Sequence, residues 1–403
     1  MDKILTGLDL GSSKLRAAVA KIHQDGYMDL LGVEESPSGG ISRGNIIDLG
    51  EASSAVENIM YRVKDKYGPK IFKVIISIGG LGFSTDKLNA YIVLQGPPRE
   101  LTQKDIEKVL QTARNMNFSL DSCILHEVVE SYKLDGQDGV KNPVGLFAKK
   151  LEVNLYSLLH SLAHIQNVMR CINYAGYDTE KIIFSGLIGA GCIVNEDELE
   201  NGVIFLDVGC DTTKIVVASD GKIKFCNVLG LGGLDITNHI SEKFKIPSAS
   251  AERLKLDASI TEETKGDKKI SIIIGGKERT FLRSEVNAAV REKTEDLLTA
   301  IKSELDNSLV ADSIKSGIVA IGGSILLDGF LERIEGFFNM PARIGKLKTK
   351  YLNTGQSSHL FASSIGAIEY YAKEAREKNK RISPANPVSN FTHKILSFIN
   401  DYF

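Results

Sequence analysis

Apolar and polar positions along the chain fall into short apolar runs separated by glycine-rich or polar turns. Ile4, Leu5 and Leu8 lead into Asp9-Leu10-Gly11-Ser12-Ser13-Lys14, and the apolar pattern resumes in Leu15-Arg16-Ala17-Ala18-Val19-Ala20. Two such runs around a tight polar turn predict a β-hairpin. Residues 30–33 predict a third strand, reached through a turn at Asp25-Gly26. A Gly/Ser-rich loop over 36–44 and a helix over 48–66 capped by Asp48 come next. Residues 74–80 predict a buried strand that ends in glycine. Strands alternating with helices in this way argue for an α/β layer.

Between about 81 and 150 the texture changes. A polar strand pair is predicted over 83–94, then a break at Pro97-Pro98, then a helix starting at Thr102 with Asp105 three residues on, an N-cap signature. Together with Cys123-Ile124-Leu125-His126 and the turn-rich stretch 132–146, this reads as a small inserted subdomain. Residues 151–157 are expected to rejoin the main sheet. A helix is expected over 161–176, and His160 and His164, in a helical stretch, stand at the i, i+4 spacing of a metal pair, but no third ligand accompanies them, so they read as a helix surface. His126, alone in an apolar stretch, reads as structural. Residues 182–195 predict a strand running into a helix whose small residues (Gly186, Gly189, Ala190, Gly191) allow close contact with another helix.

The first hairpin pattern then returns. Residues 203–218 again give an apolar strand, an Asp-x-Gly turn (Asp207-Val208-Gly209) and an apolar strand, about half the chain after the first copy. A helix starting at Gly232-Gly233 follows, then another over 250–255 with Glu252 and Lys255 on one face. Short strands over 259–283 turn at Gly275-Gly276 and precede a long helix from Ser284 to about Leu305. Residues 317–324 form a buried strand ending in Gly322-Gly323-Ser324. A helix over 359–378 carries a second small-residue face, with Ser363, Ser364, Gly366 and Ala367. Beyond it, 382–387 with Pro384 and Pro387 cannot continue a helix. Val388, Phe391, Ile395, Phe398, Ile399, Tyr402 and Phe403 then recur at helical spacing, with Lys394 on the polar side. That segment is too short to span a bilayer but suits the interface.

Composition narrows the classes. The 403 residues carry a formal charge of −2, with 25% charged and 43% hydrophobic residues, ordinary for a soluble chain of two or three domains. Nothing in the charge suggests a nucleic-acid partner. Cys123, Cys171, Cys192, Cys210 and Cys226 fit no metal or disulfide spacing, so a reducing compartment is expected. The N-terminus shows no signal-peptide pattern.

The two turns are the candidate chemistry. Gly11 lets the backbone approach an anion, and the N–H groups of Ser12, Ser13 and Lys14 can then form an anion-binding nest. Lys14 and Arg16 share a strand face and could reach a phosphate. Asp9, and by repetition Asp207, sit where a magnesium ion bridging phosphates would be held. Gly232-Gly233 opens a second helix N-terminus of the kind that binds phosphate. The paired glycines at 322 and 323 leave room for a flat base.

Taken together, these features resemble the actin/heat-shock-chaperone/sugar-kinase ATPase superfamily, and within it the FtsA family of bacterial cell-division actin homologues. Ile124-Leu125-His126, Tyr132-Lys133-Leu134-Asp135 and residues 143–152 resemble that family's inserted subdomain. Gly232-Gly233, Ala251-Glu252 with Lys255, and residues 317–323 match as well. The resemblance implies an α/β, actin-like ATPase fold: two duplicated α/β domains around a nucleotide cleft, with an FtsA-type inserted subdomain 1C. The implied division is 1A over 1–80 and 155–200, 1C over 81–154, 2A over 201–228 and 315–381, and 2B over 229–314. A linker over 382–387 and a membrane-targeting helix over 388–403 complete it.

The implied ligands are ATP and Mg. Asp9 and Asp207 would lie near the metal, through water. Gly11, Ser12, Ser13, Lys14, Arg16, Gly209, Thr212, Gly232 and Gly233 would take the phosphates, and Glu252, Lys255, Gly322, Gly323 and Ser324 the nucleoside. Phe391, Ile395, Phe398, Ile399, Tyr402 and Phe403 would enter lipid. The implied partners are FtsZ, copies of the chain itself, cytoplasmic-membrane lipid and other division proteins. The implied place is the inner face of the cell membrane at the division site. The sequence departs from the family in having Cys210-Asp211 where Gly-Gly is common and Lys214 where an acid is usual. With no general base evident in Ile183-Phe184-Ser185-Gly186-Leu187, hydrolysis is expected to be slow or absent. A PilM-like pilus-assembly actin homologue and a small-molecule kinase of the same fold are the alternatives.

Overall fold

Hydrophobic runs long enough for one strand but not for a helix build two separate sheets in the computed structural model. It describes residues 3–23, 27–68, 71–115, 121–261, 268–308, 310, 314–348 and 358–382. The turn at Asp25-Gly26 and the segment 383–403, with the lipid-facing residues expected there, lie outside the described residues.

The first sheet begins with the expected hairpin, β1 (Lys3–Leu10) against β2 (Lys14–Ile22), extended by β3 (Met28–Pro37). A two-residue ribbon, β4 (Ile41–Ser42) and β5 (Asn45–Ile46), leads to α1 (Leu49–Tyr67), whose first turn is capped by the Asp48 carboxylate accepting from Glu51 N–H at 2.9 Å. Parallel strand β6 (Lys73–Ile78) closes this part.

The inserted unit follows. It comprises β7 (Phe83–Val93), β8 (Arg99–Glu100), α2 (Gln103–Arg114), β9 (Ser122–Leu134), β10 (Gln137–Val140), β11 (Phe147–Ala148) and β12 (Lys150–Ser161). At the start of α2 the Asp105 carboxylate accepts from the Thr102 N–H at 2.8 Å and from the Thr102 hydroxyl at 2.7 Å, closing the first turn. Two expectations give way here. Residues 83–93 are one long strand, not a pair, because their alternating pattern runs unbroken to Pro97. β12 does not rejoin the main sheet. It lies between β9 and β7 over its full length, in the order β10-β9-β12-β7, so the expected boundary at 154 falls inside a strand.

The chain returns to the body through α3 (Leu162–Tyr174), β13 (Asp178–Phe184), α4 (Ser185–Ile193) and α5 (Glu196–Asn201). The second sheet then repeats the plan of the first with β14 (Val203–Val208), β15 (Thr213–Ser219) and β16 (Lys222–Leu229). Between them and the next parallel strand lie α6 (Gly233–Phe244), α7 (Ser248–Leu256), β17 (Lys269–Ile274), β18 (Lys277–Leu282) and α8 (Arg283–Ser308). β19 (Ile318–Ile321), α9 (Phe330–Phe338), β20 (Ala342–Ile344) and α10 (Ala362–Ile382) complete the described chain.

The strand orders are β3-β2-β1-β6-β13 and β16-β15-β14-β19-β20. Each is an antiparallel meander of three strands joined at its first strand to two parallel ones. The duplication read from the two Asp-x-Gly turns is thus a duplication of whole sheets. A central core joins both halves, with Ala18, Phe184, Phe205, Val319 and Ile365 packed in one cluster, while each domain and the inserted unit keep apolar clusters of their own. At its centre α4 crosses α10. A side chain on Gly366 would come within 2.6 Å of the Ile188 carbonyl oxygen, so the small-residue faces serve to let the helices touch.

His160 and His164 contradict the surface reading. His160 is next to last in β12 and fully buried, His164 is buried in the first turn of α3, and their rings stack at 4.4 Å. Burial lowers both to about 4, with the His164 charge contributing at His160.

Candidate functional site

The two hairpin turns meet because the two sheets place their first strands on either side of one cleft. Register pairs Asp9 with Arg16 across the first hairpin and Asp207 with Lys214 across the second, so each turn presents an acid opposite a cation. Ser77, brought beside Asp9 by the parallel pairing of β6, donates to Asp9 Oδ1 at 2.7 Å. Lys214 Nζ donates to Asp207 Oδ2 at 3.0 Å. Burial raises the Asp9 carboxyl above its ordinary value. Lys214 and the Ser77 bond oppose that rise, and Asp207 adds to it, so the two acids lie within one another's field. Lys214 titrates above its ordinary value: burial alone would lower it, but Asp207 and Asp9 outweigh burial.

The expected phosphate residues divide into two groups. Gly11 is required by the tightness of the first turn, since a Cβ there would lie 2.5 Å from the Lys14 carbonyl oxygen. Ser12 Oγ accepts from Gly44 N–H at 3.2 Å, and Ser13 C=O from Ser38 N–H at 3.0 Å. Lys14 and Arg16 both turn to one carboxylate, Glu35 on β3, at 2.7 and 2.8 Å. Burial would raise Glu35, but the two cations hold it below its ordinary value. On the other side the turn at Gly209 closes with its N–H on Thr212 C=O at 2.9 Å. Gly232 and Gly233 pack directly on that turn: a Cβ on Gly232 would meet Cys210 O at 2.6 Å, and Gly233 N–H donates to Gly209 O at 3.0 Å.

The nucleoside set gathers around the same turn. Ser324 Oγ donates to Gly209 O at 2.8 Å. Buried Lys255 donates to Gly233 O, Thr237 Oγ1 and Glu252 Oε2 at 3.0, 2.9 and 2.7 Å, and Thr237 Oγ1 also donates to Glu252. The paired glycines have different reasons. Gly322, at φ +102°, needs the bare backbone because a Cβ would strike Val208 O at 2.3 Å, whereas a Cβ on Gly323 would meet only open space. That open side of Gly323 is where a flat ring can lie.

Several residues of this cluster have no local sequence signal. Ser77 and Glu35 reach it through strand pairing alone, although counting register back from Arg16 would have pointed to Glu35. His359 arrives from the turn before α10. Its Nε2 is buried without a partner, and burial, then Arg16, lowers its pKa while Asp207 opposes. The β4–β5 turn lies across the cleft, Arg43 N–H donating to Asp211 and Gly44 packed on Gly80. His126 is not part of this cleft. It bonds the inserted unit to the hinge, accepting from Phe184 N–H at 2.9 Å.

The donor set fits a nucleoside polyphosphate: two glycine turns with backbone N–H groups, an open floor at Gly323, and a buried Ser185 hydroxyl that makes no hydrogen bond. It does not fit a magnesium ion held between Asp9 and Asp207, because the Lys214 ammonium already lies among those carboxylates.

Duplicated sheets on a shared cleft, hinged by two crossing helices, define an actin-like fold, and solved structures of that class align along nearly the whole chain. The PilM-PilN type IV pilus biogenesis complex matches at 14% identity with TM-score 0.64, covering 90% of this chain and 97% of that one. MreB5 of Spiroplasma citri bound to ADP matches at 15% identity with TM-score 0.53, covering 94% and 98%. The family model for cell division protein FtsA matches residues 204–366, and the model for the SHS2 domain inserted in FtsA matches residues 83–159. Cell division protein FtsA of Pseudomonas aeruginosa is 27% identical over 91% of this chain and 89% of its own length, and that of Borreliella burgdorferi 25% over 99% and 98%. The chain belongs to the FtsA family of cell division proteins.

Proposed function

We propose that this chain is an ATP-binding, filament-forming member of its family that tethers FtsZ filaments to the cytoplasmic membrane through the helix expected over 388–403. The observation that carries the nucleotide part is the meeting of Asp9, Gly11, Asp207, Gly209, Gly232 and Gly233 around one cleft. Arg16, Lys14, Ser12, Ser13, Thr212 and Ser324 would complete the phosphate side, with Glu252, Lys255, Gly322 and Gly323 at the nucleoside. When bound, ATP supplies polyphosphate charge that draws both hairpins to one ligand, which suits a protein that assembles in one state and releases in another.

Filament formation is supported by the shared fold with a double helical filament of MamK, which matches at TM-score 0.51. No helix among the described residues is long and apolar enough to cross a membrane, and in this reading the lipid-attaching segment is the apolar face expected over 388–403. Each large apolar side chain entering lipid contributes about 1.5–3 kcal/mol, and many copies on one filament multiply the effect. The alternative is a PilM-like pilus-assembly homologue of the same fold, which needs no lipid-seeking tail.

Sedimentation of the purified chain with anionic liposomes and ATP, with and without 388–403, separates the two. Pelleting that depends on both lipid and the tail is expected. Pelleting that survives the deletion, or none in either case, would sink the tethering proposal.

A further inference from the structure

Of the two cations that register places opposite the turn carboxylates, only one turns away. Arg16 bonds Glu35, whereas Lys214 folds back onto Asp207 with only 14% of its side chain exposed. Its stem crosses from the second sheet to the first. A Cβ on Gly79, just beyond β6, would lie 2.5 Å from Lys214 Cε, and one on Gly186 3.3 Å from Lys214 Cβ. The chain therefore keeps Gly79 bare where the lysine passes. The unbonded Ser185 hydroxyl borders the same spot, 2.3 Å from that Gly79 Cβ position. Lys214 Nζ also lies 3.8 Å from where a Gly209 Cβ would be, at the mouth of the second turn.

A magnesium ion needs oxygens at about 2.0–2.1 Å in near-octahedral array, and a fixed ammonium in that array both displaces water and repels the ion. Lysine is a compact charge with three donors, only one of which is committed to Asp207. We propose that Lys214 stands in for the divalent metal in this chain, its ammonium bridging Asp207 to the phosphate oxygens of the nucleotide so that ATP binds without magnesium. The inference rests on the nucleotide reading given above, and Ser185 supplies the neighbouring hydroxyl donor. Asp9, held by Ser77, acts on the ammonium together with Asp207, and His359 lies within the field of the same Asp207.

The test is calorimetric titration of the full chain with ATP, in magnesium and in EDTA. The dissociation constant is expected to change by less than about threefold, while Lys214→Met, which keeps the stem and drops the charge, weakens binding in EDTA by about tenfold or more, the loss of one charge-assisted bond. Manganese added to the nucleotide-free protein and followed by electron paramagnetic resonance gives a second readout. The wild-type chain is expected to leave the ion free, and Lys214→Met to bind it. Should Lys214→Met fail to fold, by circular dichroism, the wild-type measurements decide alone. Wild-type ATP binding that collapses in EDTA, or wild-type protein that binds manganese, overturns the lysine's role and leaves the nucleotide reading standing. Absence of ATP binding in both buffers overturns both.

Discussion

His126 ties three parts of the molecule together through one neutral ring. Its Nε2 accepts from Phe184 N–H, which leaves the proton on Nδ1 to donate to Tyr370 Oη at 3.0 Å. Burial, then the Lys181 charge, pushes it down to about 3, and burial pushes His160 and His164 down to about 4. All three are neutral when folded and take protons near the ordinary value of 6.5 when unfolded. Their contribution to stability is therefore complete above pH 6.5 and is lost as pH falls toward the folded values. Each contributes a slope of up to about 1.4 kcal/mol per pH unit. Thermal midpoints read between pH 6.5 and 5, above the carboxylate range, are expected to fall steadily, and to fall less steeply in His126→Gln. A flat profile for the wild-type chain would contradict the buried neutral rings.

Strands and helices show which signals a sequence carries locally. Both hairpins, the caps at Asp48 and Thr102 and the Gly232-Gly233 helix start were legible because each depends on neighbours within a few residues. The length of β12 was not, since its partners β9 and β7 come from elsewhere in the chain and nothing inside 150–161 marks which sheet it joins. The same holds for Ser77 and Glu35, which enter the cleft by register, and for His160, whose helical spacing to His164 hides that it lies in a strand. Small-residue faces on α4 and α10 were legible as composition, yet only the crossing shows which residue is indispensable. Gly366→Ala puts a methyl against the Ile188 carbonyl and is expected to cost about 1–3 kcal/mol in urea unfolding. Gly336→Ala, in α9 with its nearest neighbour at 3.8 Å, is expected instead to stabilise by about 0.5–1 kcal/mol. Equal effects at the two glycines would remove the packing argument for the hinge.

At the scale of the whole molecule, the inserted unit is less separable than its position in the chain suggests. Its outer half has an apolar core of its own, around Leu88, Val109, Leu134 and Leu155. Its inner half feeds the central core through Tyr156 and Leu158, with Phe83 stacked on Phe184 at 4.1 Å. It also reaches the second domain. Tyr156 Oη accepts from Cys226 N–H at 3.1 Å, and Lys222 donates to Glu130 C=O at 2.6 Å. Cys226 lies on β16, an edge strand, so the inserted unit supplies a partner that the sheet itself lacks there. Tyr156→Phe leaves that buried N–H unpaired and is expected to lower unfolding free energy by about 1–3 kcal/mol. Replacing 83–160 by a short linker is sterically easy, because Ser161 N–H already bonds Gly82 C=O at 3.1 Å. It is nevertheless expected to yield a body with a broadened, lowered thermal transition, since it strips the wall from the core that the two domains share. A deletion that melts as sharply and as high as the full chain would mean the insertion is a detachable module, and that the two halves are held by the α4–α10 crossing alone.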